Sequence, residues 1–153
     1  MPFPAILELS ALSGSDGFVI NGASTGDYSW SVSSAGDVNG DGIGDIIIGA
    51  KSADPNSRSS AGASYVVFGR STGDPFDPAL ELSALDGSDG FVINGVTNND
   101  GSGVSVSSAG DVNGDGIDDL IIGASLADPN GRNYAGASYV LFGRSAEIGR
   151  AHV

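Results

Sequence analysis

The sequence predicts an all-β fold built as two four-stranded antiparallel sheets in tandem, and three observations carry that reading. ELSALSGSDGFVING from Glu8 returns as ELSALDGSDGFVING from Glu81, and GASYVVFGR from Gly62 returns as GASYVLFGR from Gly136. Such self-similarity at a fixed offset marks a repeat architecture. Within each unit, short segments rich in β-branched and aromatic residues run with period two between Gly, Asn, Asp and Pro, which is strand patterning. Finally, 25 glycines in 153 residues ask for many turns rather than long helices.

Taken in chain order, the first unit offers strands at Phe18–Ile20, at SWSVS from Ser29, at DIIIG from Asp45 and at ASYVVF from Ala63. STGDPFDPA, ending at Ala79, has the Pro and Gly of a linker. The second unit repeats the four strands after a one-residue insertion near Asn98 to Gly101. Residues 2–73 therefore form unit one with its linker and residues 74–146 unit two: two blades joined by one linker. Phe18, Phe68, Phe91, Phe142, Tyr65 and Tyr139 stand at matching strand positions and are expected in the core. Trp30, whose counterpart is Val104, is read as packed rather than as a contact residue.

Composition removes several function classes. With no cysteine there is neither a disulfide framework nor a thiol nucleophile, and the one histidine is His152. A metal site would have to be built from oxygen. The formal charge of -13 repels nucleic acid and anionic membrane surfaces and favours a cationic partner. No apolar run approaches the length of a bilayer span, and MPFPAILELS lacks a basic segment followed by an apolar one.

The most specific feature is an acidic, glycine-punctuated stretch between the second and third strands of each unit. DVNGDGIGDIIIGA begins at Asp37 and DVNGDGIDDLIIGA at Asp111. Asp37, Asn39 and Asp41 alternate along the chain, so a tightly curling hairpin loop can turn their oxygens toward one point. The Ile43 carbonyl and the Asp45 carboxylate can close the cage, as hard ligands suited to Ca2+. Asp111, Asn113, Asp115, the Ile117 carbonyl and Asp119 repeat the set, giving about one ion per repeat. Gly40 and Gly42 permit the curl. An EF-hand starts the same way but needs a Glu at the twelfth position and a following helix, whereas Ile48 and Ile122 stand there inside strands. A plain hairpin turn needs one Asn-Gly or Asp-Gly; it does not need further carboxylates crowded together, which repel one another without a cation. Asp118, which stands where the first loop has Gly44, is expected to turn away from the ion.

At these residues the chain resembles the FG-GAP repeats of integrin α-subunit β-propellers and their bacterial relatives. The most specific part is D-x-N-x-D-G-x-x-D followed by an apolar strand ending in Gly-Ala, present twice. The likeness covers most of residues 2 to 145. It implies propeller blades, one calcium ion per loop, and an extracellular or cell-surface setting in adhesion or recognition. Tyr28-Ser29 and Ser102-Gly103 replace the Phe-Gly of the family name, and Lys51 and Ser125 stand where its Gly-Ala-Pro would end.

Enzyme readings fare poorly. GASTG at Gly22–Gly26 matches the G-x-S-x-G elbow, but in a Gly/Ser-rich chain the match is cheap and no base accompanies it. Asp37 and Asp41 recur symmetrically, which suits repeated structure better than a glycosidase carboxylate pair. The expectation is a non-enzymatic, calcium-binding segment of an extracellular adhesion or interaction protein, partnered by further blades and by a protein or glycan ligand. The alternative is an accessory domain of a secreted enzyme whose catalytic part lies elsewhere.

Two blades do not close a ring, which takes about four to eight, so the chain is expected to be a fragment of a larger one. EIGRAHV, from Glu147 to Val153, breaks the repeat, resembles a translated sequencing adapter and is set aside as a non-native tail with Arg150 and His152. The strand order reads one outer strand and three inner strands, twice. The last unit then lacks an outer strand, and Ala137–Phe142 presents an apolar edge that the Phe18 strand of another chain could complete.

Overall fold

The computed structural model describes residues 2–145; the proposed tail lies outside the described residues. Nine strands form among the described residues: β1 Val19–Asn21, β2 Ser29–Gly36, β3 Asp45–Ala50, β4 Ala63–Val67, β5 Ala79–Glu81, β6 Gly90–Asn94, β7 Ser102–Gly110, β8 Asp119–Ala124 and β9 Ala137–Leu141. Short 3-10 turns fill several connections, and the one at Leu82–Ala84 buries Leu82. The all-β, antiparallel blade fold expected from the sequence is present as one four-stranded and one three-stranded sheet, in the orders β2-β3-β4-β6 and β7-β8-β9. β1 and β5 form a separate parallel pair, with Ile20 opposite Leu80.

The blades divide the chain differently from the simple unit reading. The Phe18 segment does not lie beside the strand that starts at Ser29. The outer strand of the first sheet is β6, from the second repeat, in antiparallel register with Val66 opposite Phe91. The connection from β4 is long enough to turn the chain back along the free edge of β4. β1 is instead held by β5, with Ile20 packed against the first sheet's apolar face.

β3 is one of the two inner strands of its sheet and is covered on both faces, which explains why DIIIGA is continuously apolar rather than alternating. One face contributes Ile48, Tyr65 and Val67 to a cluster closed by Leu82, with Ile20 and Phe76 at its margin. The other face sends Ile47 and Val66 into a cluster shared with Val106, Leu120 and Ile122 of the second sheet. Burial of each such side chain stabilises by about 1.5–3 kcal/mol, so this shared cluster is what joins the blades. Glycine brings the two backbones together: a Cβ on Gly49 would collide with the Gly103 carbonyl, and one on Gly62 with the backbone of Ser102.

The aromatic expectations divide along the same line. Tyr65 is buried and Phe68 half-buried beside Phe91, but their counterparts Tyr139 and Phe142 are exposed. The identical environment read from the repeat does not hold, because among the described residues no blade follows the second sheet. Trp30 is also exposed rather than packed: it lies beside Tyr28, and the Lys51 ammonium sits 4.6 Å from its ring centroid. GASTG forms a turn between β1 and β2 with no helix after it, unlike a nucleophile elbow. Among the described residues no helix is long and apolar enough to cross a membrane.

Candidate metal centre

Both acidic stretches form the β2–β3 and β7–β8 connections, as the sequence predicts. The curl rests on glycines in the left-handed region: Gly40 and Gly42 have φ of 71° and 85°, and Gly114 and Gly116 have 75° and 85°. The first carboxylate of each loop reaches forward along the chain. Asp37 accepts the Asp41 N–H at 3.0 Å and the Gly42 N–H at 2.8 Å. Asp111 accepts from Asp115 at 3.0 Å and from Gly116 at 2.8 Å. The amides of Asn39 and Asn113 donate to Asp41 and Asp115 at 3.1 and 3.2 Å. Asp41 and Asp115 in turn accept the N–H of Ile43 and Ile117, at 2.8 and 2.9 Å. Three oxygen-bearing side chains per loop are thereby fixed on one short exposed curl.

The last acidic residue of each set is held differently. Asp45 is buried at the start of β3, where its two oxygens accept the Val38 N–H at 2.9 Å and the Gly69 N–H at 2.8 Å. Asp119 is fully buried and accepts the Val112 N–H at 2.6 Å and the Gly143 N–H at 2.9 Å. Each therefore ties its loop to the segment that follows β4 or β9, a structural duty the ligand reading did not include. Among the described residues, no three His, Cys, Asp or Glu side chains are gathered as around a metal ion.

Electrostatics differ along the loop. Burial pushes the Asp45 carboxyl above its ordinary range; the N–H groups of Gly69 and Val38 oppose this, and the charges of Asp41 and Asp37 add to it. Asp111 is held below the ordinary range, first by the Gly116 N–H; desolvation opposes this, and the Asp115 and Gly114 N–H groups add to the lowering. The donor chemistry, all oxygen with clustered negative charge, fits a hard divalent cation, which would relieve the repulsion that Asp41 and Asp37 exert on Asp45.

Asp118 has a role that the sequence reading did not assign. Its carboxylate turns from its own loop to the first one, where it accepts the Asp37 N–H at 2.8 Å. The Asp118 N–H donates to the Asp37 carbonyl at 3.2 Å, and the Arg144 N–H to the Val38 carbonyl at 2.9 Å. Blade two thus grips the backbone of the loop of blade one. The signal was present in the sequence as the one charge difference between the loops, Asp118 against Gly44.

The FG-GAP repeat family model matches residues 29–67 and 102–141, together just over half of the chain. The chain belongs to the FG-GAP repeat family. Each match begins at the first strand of a blade core and ends at the third, enclosing one acidic loop. Among curated proteins, phosphatidylinositol-glycan-specific phospholipase D of Bos taurus is 36% identical over 115 residues, covering 74% of this chain and 13% of that protein. The Homo sapiens protein of the same name is 35% identical, with the same coverage. The chain thus spans about an eighth of the length of these curated relatives.

Proposed function

We propose that this chain is a non-catalytic, calcium-binding propeller segment that serves as the accessory part of a larger extracellular enzyme related to phosphatidylinositol-glycan-specific phospholipase D. The observation that carries the reading is the duplicated loop in which Asp37, Asn39 and Asp41, and again Asp111, Asn113 and Asp115, are fixed by their own backbone hydrogen bonds on one curl. The Ile43 and Ile117 carbonyls and the second lone pairs of Asp45 and Asp119 would complete the oxygen set. The ion would supply charge neutralisation and loop rigidity, with no chemistry of its own. The relatives favour the accessory reading over adhesion, because an enzyme name recurs among proteins in which this region makes up 13% of the length.

Isothermal titration tests the metal half of the proposal. The expected result is a stoichiometry near two per chain with a Kd of about 0.1–1 mM, the range of extracellular modules. At about 1 mM free calcium this adds about 0.4–1.4 kcal/mol of stability per site. No heat and no shift in Tm at millimolar calcium would refute it. The accessory reading is tested on the intact gene product: deletion of these repeats should lower secretion or stability of the enzyme while leaving the chemistry of its catalytic part in place.

A further inference from the structure

The two ends of the fold present complementary halves of one blade. β7-β8-β9 is a set of three inner strands whose outer edge, along β9, carries no fourth strand among the described residues. Among the described residues β1 is an outer strand without inner ones, and the segment GFVIN from Gly17 that ends in β1 is identical to β6 from Gly90. β6 covers β4, ASYVV, and β9 is the near-identical ASYVL.

Backbone polarity makes the match specific. The Gly95 N–H donates to the Gly62 carbonyl and the Phe68 N–H to the Asp89 carbonyl. In an antiparallel ladder every second residue faces the partner, so Phe91 and Ile93 of β6 and Ser64 and Val66 of β4 face each other's strand. In β1 the Val19 N–H donates to the Pro78 carbonyl of the β5 side. Phe18 and Ile20 therefore turn their amides to the opposite, free edge, the same edge by which β6 binds β4. β5 and the packing of Ile20 hold that edge in place.

The faces beside these edges agree. At the internal junction Val38, Val66 and Val106 are 4%, 0% and 8% exposed; their repeat counterparts Val112, Val140 and Val32 are 57%, 47% and 68% exposed. Val112 and Val140 lie on blade two and Val32 on blade one, so the uncovered apolar halves are at opposite ends of the molecule. Exposed edges and faces of this kind are templates for association.

We infer that copies of this chain associate head to tail, β1 of one copy adding to the β9 edge of the next and its Val32 face covering Val140 and Val112, as blade two covers blade one. The register follows from β4 and β6: Phe18 opposite Val140 and Ile20 opposite Ser138. No strand has to leave its own chain, so this is edge addition rather than exchange. The contact is heterologous, so it repeats from copy to copy and ends only where the rotation closes. One internal bond is missing from the junction, because Gly44 stands where Asp118 grips the preceding loop. The inference does not depend on calcium.

Sedimentation of the full chain at about 50 µM, where micromolar contacts are populated, tests it in chelator and in calcium. The wild-type chain is expected to form oligomers. Val140→Pro removes an N–H that faces the free edge and spares the β8–β9 ladder, so it should yield a monomer of nearly unchanged Tm. Val32→Glu should also be monomeric. An equimolar mixture of these two variants should form a one-to-one dimer, since each retains the surface that the other lacks. Gly44→Asp, at a position with open space around a Cβ, should restore the missing bond and tighten association about tenfold or more. A wild-type monomer, which would leave the β9 edge to a strand of another sequence, overturns the inference. So does an assembly that survives Val140→Pro, or a variant mixture that stays monomeric.

Discussion

Asp119→Ala separates the structural duty of a carboxylate from its proposed role toward an ion. The side chain is fully buried, with Val112 N–H at 2.6 Å on one oxygen and Gly143 N–H at 2.9 Å on the other. Alanine leaves both donors unpartnered where the loop, the start of β8 and the segment after β9 meet. Hydrogen bonds to a charged group contribute about 1.5–3 kcal/mol each, so the gross loss is about 3–6 kcal/mol. Removing a buried carboxylate also removes its desolvation cost, which offsets part of this and leaves a net loss of about 2–4 kcal/mol. That is a large fraction of a typical total of about 5–15 kcal/mol. Urea denaturation followed by far-UV circular dichroism, in chelator, reads the ion-independent part alone. A loss below about 0.5 kcal/mol, the ordinary range of a surface substitution, would refute the argument. So would a loss that appears only with calcium, since the two amide hydrogen bonds require no ion.

Asp118→Gly should cost about 1–2 kcal/mol through loss of the side-chain bond that accepts the Asp37 N–H, while calcium stoichiometry by titration stays at the wild-type value. Gly49→Ala should destabilise by about 2–3 kcal/mol because its Cβ meets the Gly103 backbone; Gly123→Ala, which meets only the movable Ser105 hydroxyl, should cost under about 1 kcal/mol, both read by thermal melting. Asp27 is buried, and that burial raises its pKa above 3.8, with the charge of Asp54 adding and Ser24 opposing. A raised folded pKa means that the favourable contribution is complete below the ordinary carboxylate value and is lost as pH rises through the raised one. Asp27→Asn should therefore raise Tm at about pH 7 and lose that advantage near pH 3; an equal gain at both would count against it.

The features legible in the sequence were those written locally. The repeat, the period-two strands and the glycine-borne curl of both acidic loops are encoded within a few residues of one another, and Gly40, Gly42, Gly114 and Gly116 take the left-handed conformations that the loop demands. The assignment of β6 to the preceding sheet was only partly legible. Strand patterning states that a segment is extended, but not which edge it joins. The edge is chosen by the long connection from β4 and by the fit of Phe91 and Ile93 against the inter-blade cluster.

The ligand reading shows a second limit, which is chemical. Asp45 and Asp119 complete an oxygen pattern in the sequence, yet both oxygens of each already accept backbone N–H groups. A carboxylate oxygen has more than one lone pair, so the same residue can hold a strand end and still face a cation. Residue type and spacing are the same for either duty. A third limit is positional: Val66 and Val140 occupy equivalent places in nearly identical strands, and one is fully buried while the other is half exposed. The difference lies in what stands opposite. β4 has β6 at its edge and blade two on its face, whereas β9 has neither among the described residues. In a repeat fold burial belongs to the junction between units, so the sequence of one repeat specifies a surface that another must cover.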